Sequence, residues 1–197
     1  MSPRRHASRR IDHPSRARDV RTRITTSSTD QDPMPINAEL LPEFDQEMAT
    51  TRRLLERVPA DKADWKPHPK SFSLAHLDQL IATMPGWITR TLLEPEIDLA
   101  AGAGYSNQSP RALLEQFDKL VGEAREAIAS RTDADWKSEW ALKMGGKVLY
   151  TSPRGAAVRQ HINHIVHHRA QLGLYLRLLE VPVPSMYGPT ADEGWGR

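Results

Sequence analysis

Residues 152–181 read "SPRGAAVRQHINHIVHHRAQLGLYLRLLEV". Val158, Ile162, Ile165, Leu172, Leu176 and Leu179 recur at spacings of three, four and seven, which is one apolar stripe along a long helix. Ser152-Pro153 reads as its start, and Val181-Pro182 stops it. Four of the chain's eight histidines fall within residues 161–168. At about 100° per residue, His161, His164 and His168 lie on one side of the helix beside the apolar stripe. His167 points roughly a quarter turn away. His164 and His168 are spaced i, i+4, so their imidazoles stack and can share one ion. Imidazole is a natural ligand for Zn, Ni, Fe or Cu, and two nitrogens leave a site incomplete. The residues between the pair are Ile165, Val166 and His167, so the helix carries no zincin-type glutamate base. A third ligand has to come from another helix. The competing reading of the same spacing is a polar helix edge with internally satisfied histidines.

Three more helices are written in the same period. Phe44, Met48, Thr51, Leu54, Leu55 and Val58 predict a first helix over about Pro42 to Arg57, with Pro42 in its first turn. Ser73 caps a second helix, and Leu74, Leu77, Ile81, Met84, Ile88 and Leu92 form its inner stripe. Pro85 kinks that helix or breaks it after Met84. "EPEIDLAAGAGYSNQ" (94–108) is then a long connection. Ser109-Pro110 opens a third helix that faces inward with Leu113, Phe117, Leu120, Ala124, Ala127 and Ile128. "SEWALKMGGKVLYTSP" (138–153) has the form of a small hairpin turning at Gly145-Gly146. The fold class expected is all-α: a four-helix bundle with one long crossover and that small hairpin before the last helix.

The chain has 197 residues, enough for one domain with a substantial core and a tail. It has no cysteine, which excludes disulfides, thiolate metal sites and a cysteine nucleophile. No apolar run reaches the ~18 residues of a membrane span. The formal charge is +2, yet residues 1–33 contain eight arginines and four aspartates. The rest holds 19 basic against 21 acidic residues, a formal −2. The basic excess therefore belongs to the tail, which weakens any nucleic-acid role for residues 34–197. Residues 1–33 are too polar to bury a core and are expected to be disordered. They read as a polyanion-binding arm, a targeting peptide, or a segment outside the native protein. The last is favoured, because "MPINAELLPEF" from Met34 has the form of a true start. Four Asp and the lack of an apolar stretch argue against targeting.

Three phrases together resemble a known family. "NHIVHHRAQLGLYLRLLEVPVPSMYGPTADE" (163–193) resembles the last helix and C-terminal loop of the DinB/YfiT-like superfamily. "LLPEFDQEMATTRRLLERVP" (40–59) and "KSFSLAHLDQLIATMPGW" (70–87) resemble its first two helices. The resemblance implies a divalent metal (Zn, Ni or Fe) held by three histidines, one from the second helix and two from the last. Carried over, the last two are His164 and His168. The second-helix ligand belongs at the end of the phrase S-L-x-x-L-x-x-H, and here that position is Leu80, which cannot coordinate. His76 lies one turn earlier on the same flank. Either the site is a two-histidine remnant, or His76 takes the role with the ion displaced by about one turn, ~5–6 Å. If the second and last helices are parallel, the displaced site favours His161 with His164; if antiparallel, the shift points away from His161. Arg169, within "HHRAQ", reads as a binder of an anionic substrate group or as a salt-bridged side chain. Trp87 shares the Leu80 flank and reads as a pocket-lining residue, and Tyr175 lies near the histidine face within reach of a metal-bound water; core packing is the simpler reading of both.

Two functions follow. One is a metal-dependent enzyme with thiol-dependent S-transferase or related chemistry, acting on a small molecule with a low-molecular-weight thiol. The other is a non-catalytic bundle with a degraded site, binding a small ligand or forming a homodimer through exposed helix faces. A cytoplasmic protein with no membrane partner is expected in either case.

Overall fold

The computed structural model describes residues 34–102 and 104–194. The tail over residues 1–33, expected to be disordered, lies outside the described residues.

The first helix, α1, spans Ile36–Leu55 and begins six residues before Pro42. The missing N–H of Pro42 leaves the Ala38 carbonyl without its helical donor, but both residues are exposed, so the carbonyl is open to solvent. Contacts distant in sequence fix the earlier start: Asp133 accepts from Ile36 N at 3.0 Å, and Asn37 Nδ2 donates to the Ala129 carbonyl at 2.9 Å. The start also brings Leu40 into the core.

Ser73 caps α2, Leu74–Thr83, by accepting from His76 N. The helical path then breaks at Met84, and α3, Pro85–Leu93, starts with Pro85 in its first turn. Ser109 caps α4, Pro110–Ala129, by accepting from Ala112 N. A short α5, Asp133–Lys137, carries a reciprocal Thr132–Asp135 capping box. The last helix, α6, spans Arg154–Leu178. Its end is a Schellman closure: Val181 N donates to Leu176 O at 2.9 Å, with Glu180 in the left-handed region at φ 57°.

Both α4 and α6 pack against α1 and against the α2–α3 pair. Phe44, Leu77, Ile81, Phe117, Ile162, Ile165 and Leu172 are among the fully buried members of one continuous core. Each such side chain contributes about 1.5–3 kcal/mol by leaving water. None of the described helices is long and apolar enough to cross a membrane.

The expected all-α class needs correction. The molecule is mostly helical, but it carries a three-stranded sheet of β1 (Glu96–Asp98), β2 (Glu139–Met144) and β3 (Lys147–Pro153) in that order. β2 and β3 form the expected hairpin, with Gly145 and Gly146 at φ 58° and 78° in the turn. β1 comes from the long connection and pairs parallel with β2. Asp98 fastens it by accepting from the turn amides of Gly145 and Gly146 at 2.8 and 2.6 Å. Ser152-Pro153 ends β3 rather than capping α6; Ser152 pairs with Trp140, and the first helical amide, Arg154 N, donates to Ser138 O. The sheet packs Ile97 and Trp140 over Ala157 and Trp87, covering the first turns of α6.

Candidate functional site

The α2–α3 pair and α6 run antiparallel. Tyr175 donates to the Phe72 carbonyl, Phe72 neighbours His168, Trp87 neighbours His164, and Thr91 bonds His161. Residue numbers rise along one side of this seam as they fall along the other. Leu80 shares a helix flank with His76 and Trp87, and its place in the order is opposite the interval between His164 and His168. A site displaced toward His76 would therefore move away from His161.

His161 is 5% exposed, and its Nε2 lies 3.0 Å from Thr91 Oγ1. Trp87 and Trp140 meet its ring edge-on. Burial first, and His164 second, push its pKa down to about 4, so it is neutral at ordinary pH.

His164 and His168 come together as the spacing indicates. Their Nε2 atoms are 2.9 Å apart, and their ring centroids 4.6 Å. His168 Nδ1 is 2.9 Å from Gln171 Oε1, and Gln171 Nε2 is 3.0 Å from His167 Nε2. With the amide in this orientation the assignment is consistent. His168 Nδ1–H donates to Gln171, the amide donates to His167, and the Nε2 lone pair of His168 accepts from His164. Burial is the first cause that lowers the pKa of both His164 and His168, with neighbouring imidazoles adding to it.

His76 is elsewhere. It lies between two other rings, Phe72 at 4.3 Å and Tyr105 at 4.8 Å, on the outer flank of α2. Leu80 stays half-buried against the core. Among the described residues, no group of three or more His, Cys, Asp or Glu is placed to hold a metal ion.

The donor set can be tested against the implied centre. Two Zn–N bonds of about 2.0–2.1 Å at a tetrahedral angle put the nitrogens about 3.3 Å apart. The His164–His168 spacing is close to that, and Gln171 holds His168 with a nitrogen free for coordination. The α2 position to which the resemblance assigns the third ligand is Leu80, which has no donor atom. The residues present supply two of the three ligands of a three-histidine centre and do not fit the whole.

Arg169 is 1% exposed, and both terminal nitrogens of its guanidinium are engaged. It pairs with Glu47 at 2.7 Å, donates to Thr51 Oγ1 and the Glu47 carbonyl, and donates to Tyr187 Oη at 2.6 Å. Tyr187 in turn bonds Glu47. This clamp fastens the C-terminal segment to α1 and commits both terminal nitrogens of Arg169 to the protein's own groups. Tyr175 packs edge-on against Trp65. Gln171 is four residues from His167 and three from His168, so helix geometry brings it to both, but which ring nitrogen it holds emerges only with side-chain geometry. Asp78 is 1% exposed, its Oδ2 has no partner, and burial pushes its pKa up to about 7. Tyr105 carried no periodic signal at all.

A family model described as "DinB family" matches residues 28–195. Among solved structures, a DinB-like protein from Bacillus subtilis is 17% identical with a TM-score of 0.60, over 74% of this chain and 96% of that one. A DinB-like protein from Bacillus cereus is 18% identical with a TM-score of 0.61, over 78% and 98%. A variant of a mycothiol-dependent maleylpyruvate isomerase is 14% identical with a TM-score of 0.54, over 70% of this chain and 60% of that one. At these identities the likeness is one of fold. No curated protein matches significantly.

Proposed function

The chain belongs to the DinB family, and on that footing we propose that it is a small-ligand-binding member whose metal centre is reduced to the two-histidine half-site His164–His168. The observation that carries this reading is Leu80. At the position where the resemblance puts the third ligand it offers only aliphatic carbon, while His76, one turn earlier, packs against Phe72 and Tyr105. Two imidazoles on one helix bind a divalent ion far more weakly than three from two helices, because water must supply the remaining ligands. On this reading the partner is a small molecule, in the cytoplasm, with neither membrane nor nucleic acid involved. Self-association involves exposed helix faces such as Leu174 and Leu178.

The test is the metal content of the purified full chain after loading with Zn or Ni, compared with His164→Ala and His76→Ala. The expected result is less than one retained ion per chain, with His76→Ala no different from wild type. Stoichiometric metal lost in both variants would instead establish a displaced three-histidine centre.

A second reading is favoured by the 2.9 Å approach of the two Nε2 atoms and the Gln171 contact. It is a metal-dependent enzyme of thiol-dependent S-transferase or isomerase type, holding Zn, Ni or Fe and using a low-molecular-weight thiol. The mycothiol-dependent isomerase that shares the fold has this kind of dependence in its name. Tight stoichiometric metal in the wild-type chain is what distinguishes this reading from the first.

A further inference from the structure

A groove of about 700 Å³ runs along the outer side of α2 and α3, closed by α4 and by the segment after β1. That volume is in the range of small-molecule sites, ~300–1,000 Å³. His164 and His168 do not line it. Leu80 and Trp87 do, and Trp87 is the ring that meets His164 from the other side.

Its chemistry is specific. Its rim carries His76 and Tyr105, nearly parallel at 20°, and Phe72, outside the lining, packs on His76 at 36°. Phe72 and Tyr105 are 43% and 45% exposed, so much of their aromatic surface faces water in the free protein. The segment that carries Tyr105 is held in place. Gln79 Oε1 accepts from Ser106 N at 3.0 Å, and Gln79 Nε2 reaches the Gly104 carbonyl at 3.5 Å. The platform is therefore organised before a ligand arrives, which removes an ordering cost.

The charged side chains of the lining are already engaged. Arg90 pairs with Glu94 at 3.0 Å. The Asp98 carboxylate accepts from Ala100, Gly145 and Gly146. Glu123 faces Lys119 at 3.8 Å. Among the uncharged polar groups of the lining are Gln116 and Thr83, the latter donating its hydroxyl to the Gln79 carbonyl at 2.9 Å and keeping its oxygen as an acceptor. Aromatic faces with neutral hydrogen-bonding groups suit a flat ligand of zero charge, because an ion would lose hydration without gaining a counter-charge.

We propose that this groove is the ligand site, and that it takes an uncharged planar aromatic molecule with a hydrogen-bonding edge, stacked on Tyr105 and bordered by Trp87. The proposal rests on the small-ligand reading above and is independent of metal content.

The test uses the full chain and three probes, 2-naphthol, 2-naphthoate and cyclohexanol, with binding followed by saturation-transfer NMR. Saturable 2-naphthol binding is expected. The charged and the non-aromatic probe should each bind about tenfold more weakly or worse. Tyr105→Ala should weaken 2-naphthol about tenfold. Gln116→Trp, which fills the groove from a half-buried position, should abolish binding, and Leu149→Ser on the exposed hairpin should leave it unchanged. Thermal melts of each variant establish that it is folded. No saturation, equal affinity for the three probes, or 2-naphthol binding unchanged in Tyr105→Ala and Gln116→Trp overturns the proposal. Such a failure leaves the half-site reading intact, whereas stoichiometric metal in wild type would overturn that reading and leave the groove result standing.

Discussion

His164 Nε2 and His168 Nε2 stand 2.9 Å apart, so each imidazole is the other's hydrogen-bond partner. An ion has to displace that bond and finds only two nitrogens in return. Residual Zn or Ni binding by the full chain, measured by competition with a chromophoric chelator, should be weak and abolished by either His164→Ala or His168→Ala. Gln171→Leu should weaken it by about tenfold or more, because His168 loses the partner that holds its coordinating nitrogen outward. Unchanged affinity in Gln171→Leu would show that the amide contact has no such role.

Arg169 and Glu47 form the other decisive pair, and their role is structural. Removing the guanidinium strands a mostly buried carboxylate, so Arg169→Ala should cost about 3–5 kcal/mol. For a domain of this size that lowers the melting temperature by roughly 10 °C. Tyr187→Phe, which removes one bridging hydroxyl, should cost only about 1 kcal/mol. If Arg169 instead recognised a substrate anion, Arg169→Ala would melt like wild type and lose ligand.

Asp78 and His161 make stability depend on pH in opposite directions. Burial raises Asp78 from 3.8 to about 7, so between those values the folded state keeps a proton that the unfolded state has lost, and stability falls as pH rises. The full effect is about 4 kcal/mol. Burial lowers His161 from 6.5 to about 4, so there the unfolded state holds the extra proton, and stability rises with pH. Between pH 4 and 6.5 the two slopes offset each other in wild type. Asp78→Asn should uncover the His161 slope as a stability that climbs across this interval, and should raise the melting temperature at pH 8 far more than at pH 4. An equal gain at both pH values would contradict the assignment.

The helices were legible because burial repeats with the helical period: Phe44 to Val58, Leu74 to Leu92 and Leu113 to Ile128 are interior as spaced, except that Leu120 is only half-buried. The hairpin was legible from Gly145-Gly146, where positive φ favours glycine. Three features were not. β1 is three residues long, too short for a period, and exists because Asp98 reaches the hairpin turn. The start of α1 depends on Asp133, 97 residues away. The partners of Arg169 lie 122 and 18 residues off, on α1 and in the final loop. In the site, the i, i+4 spacing gave the His164–His168 pair. The positions of His76 and Leu80 depended on helix direction, which spacing does not contain.

Leu80→His is the decisive substitution for the two-histidine site. The substitution puts an imidazole at the α2 position that the family resemblance gives to the third ligand. The metal-to-protein ratio is measured by elemental analysis after loading with Zn or Ni and gel filtration. The ratio should rise from well under one in wild type to about one ion per chain in Leu80→His, and fall again when His164→Ala is added. A wild-type chain that already retains one ion, or a Leu80→His chain that retains no more than wild type, would contradict the account.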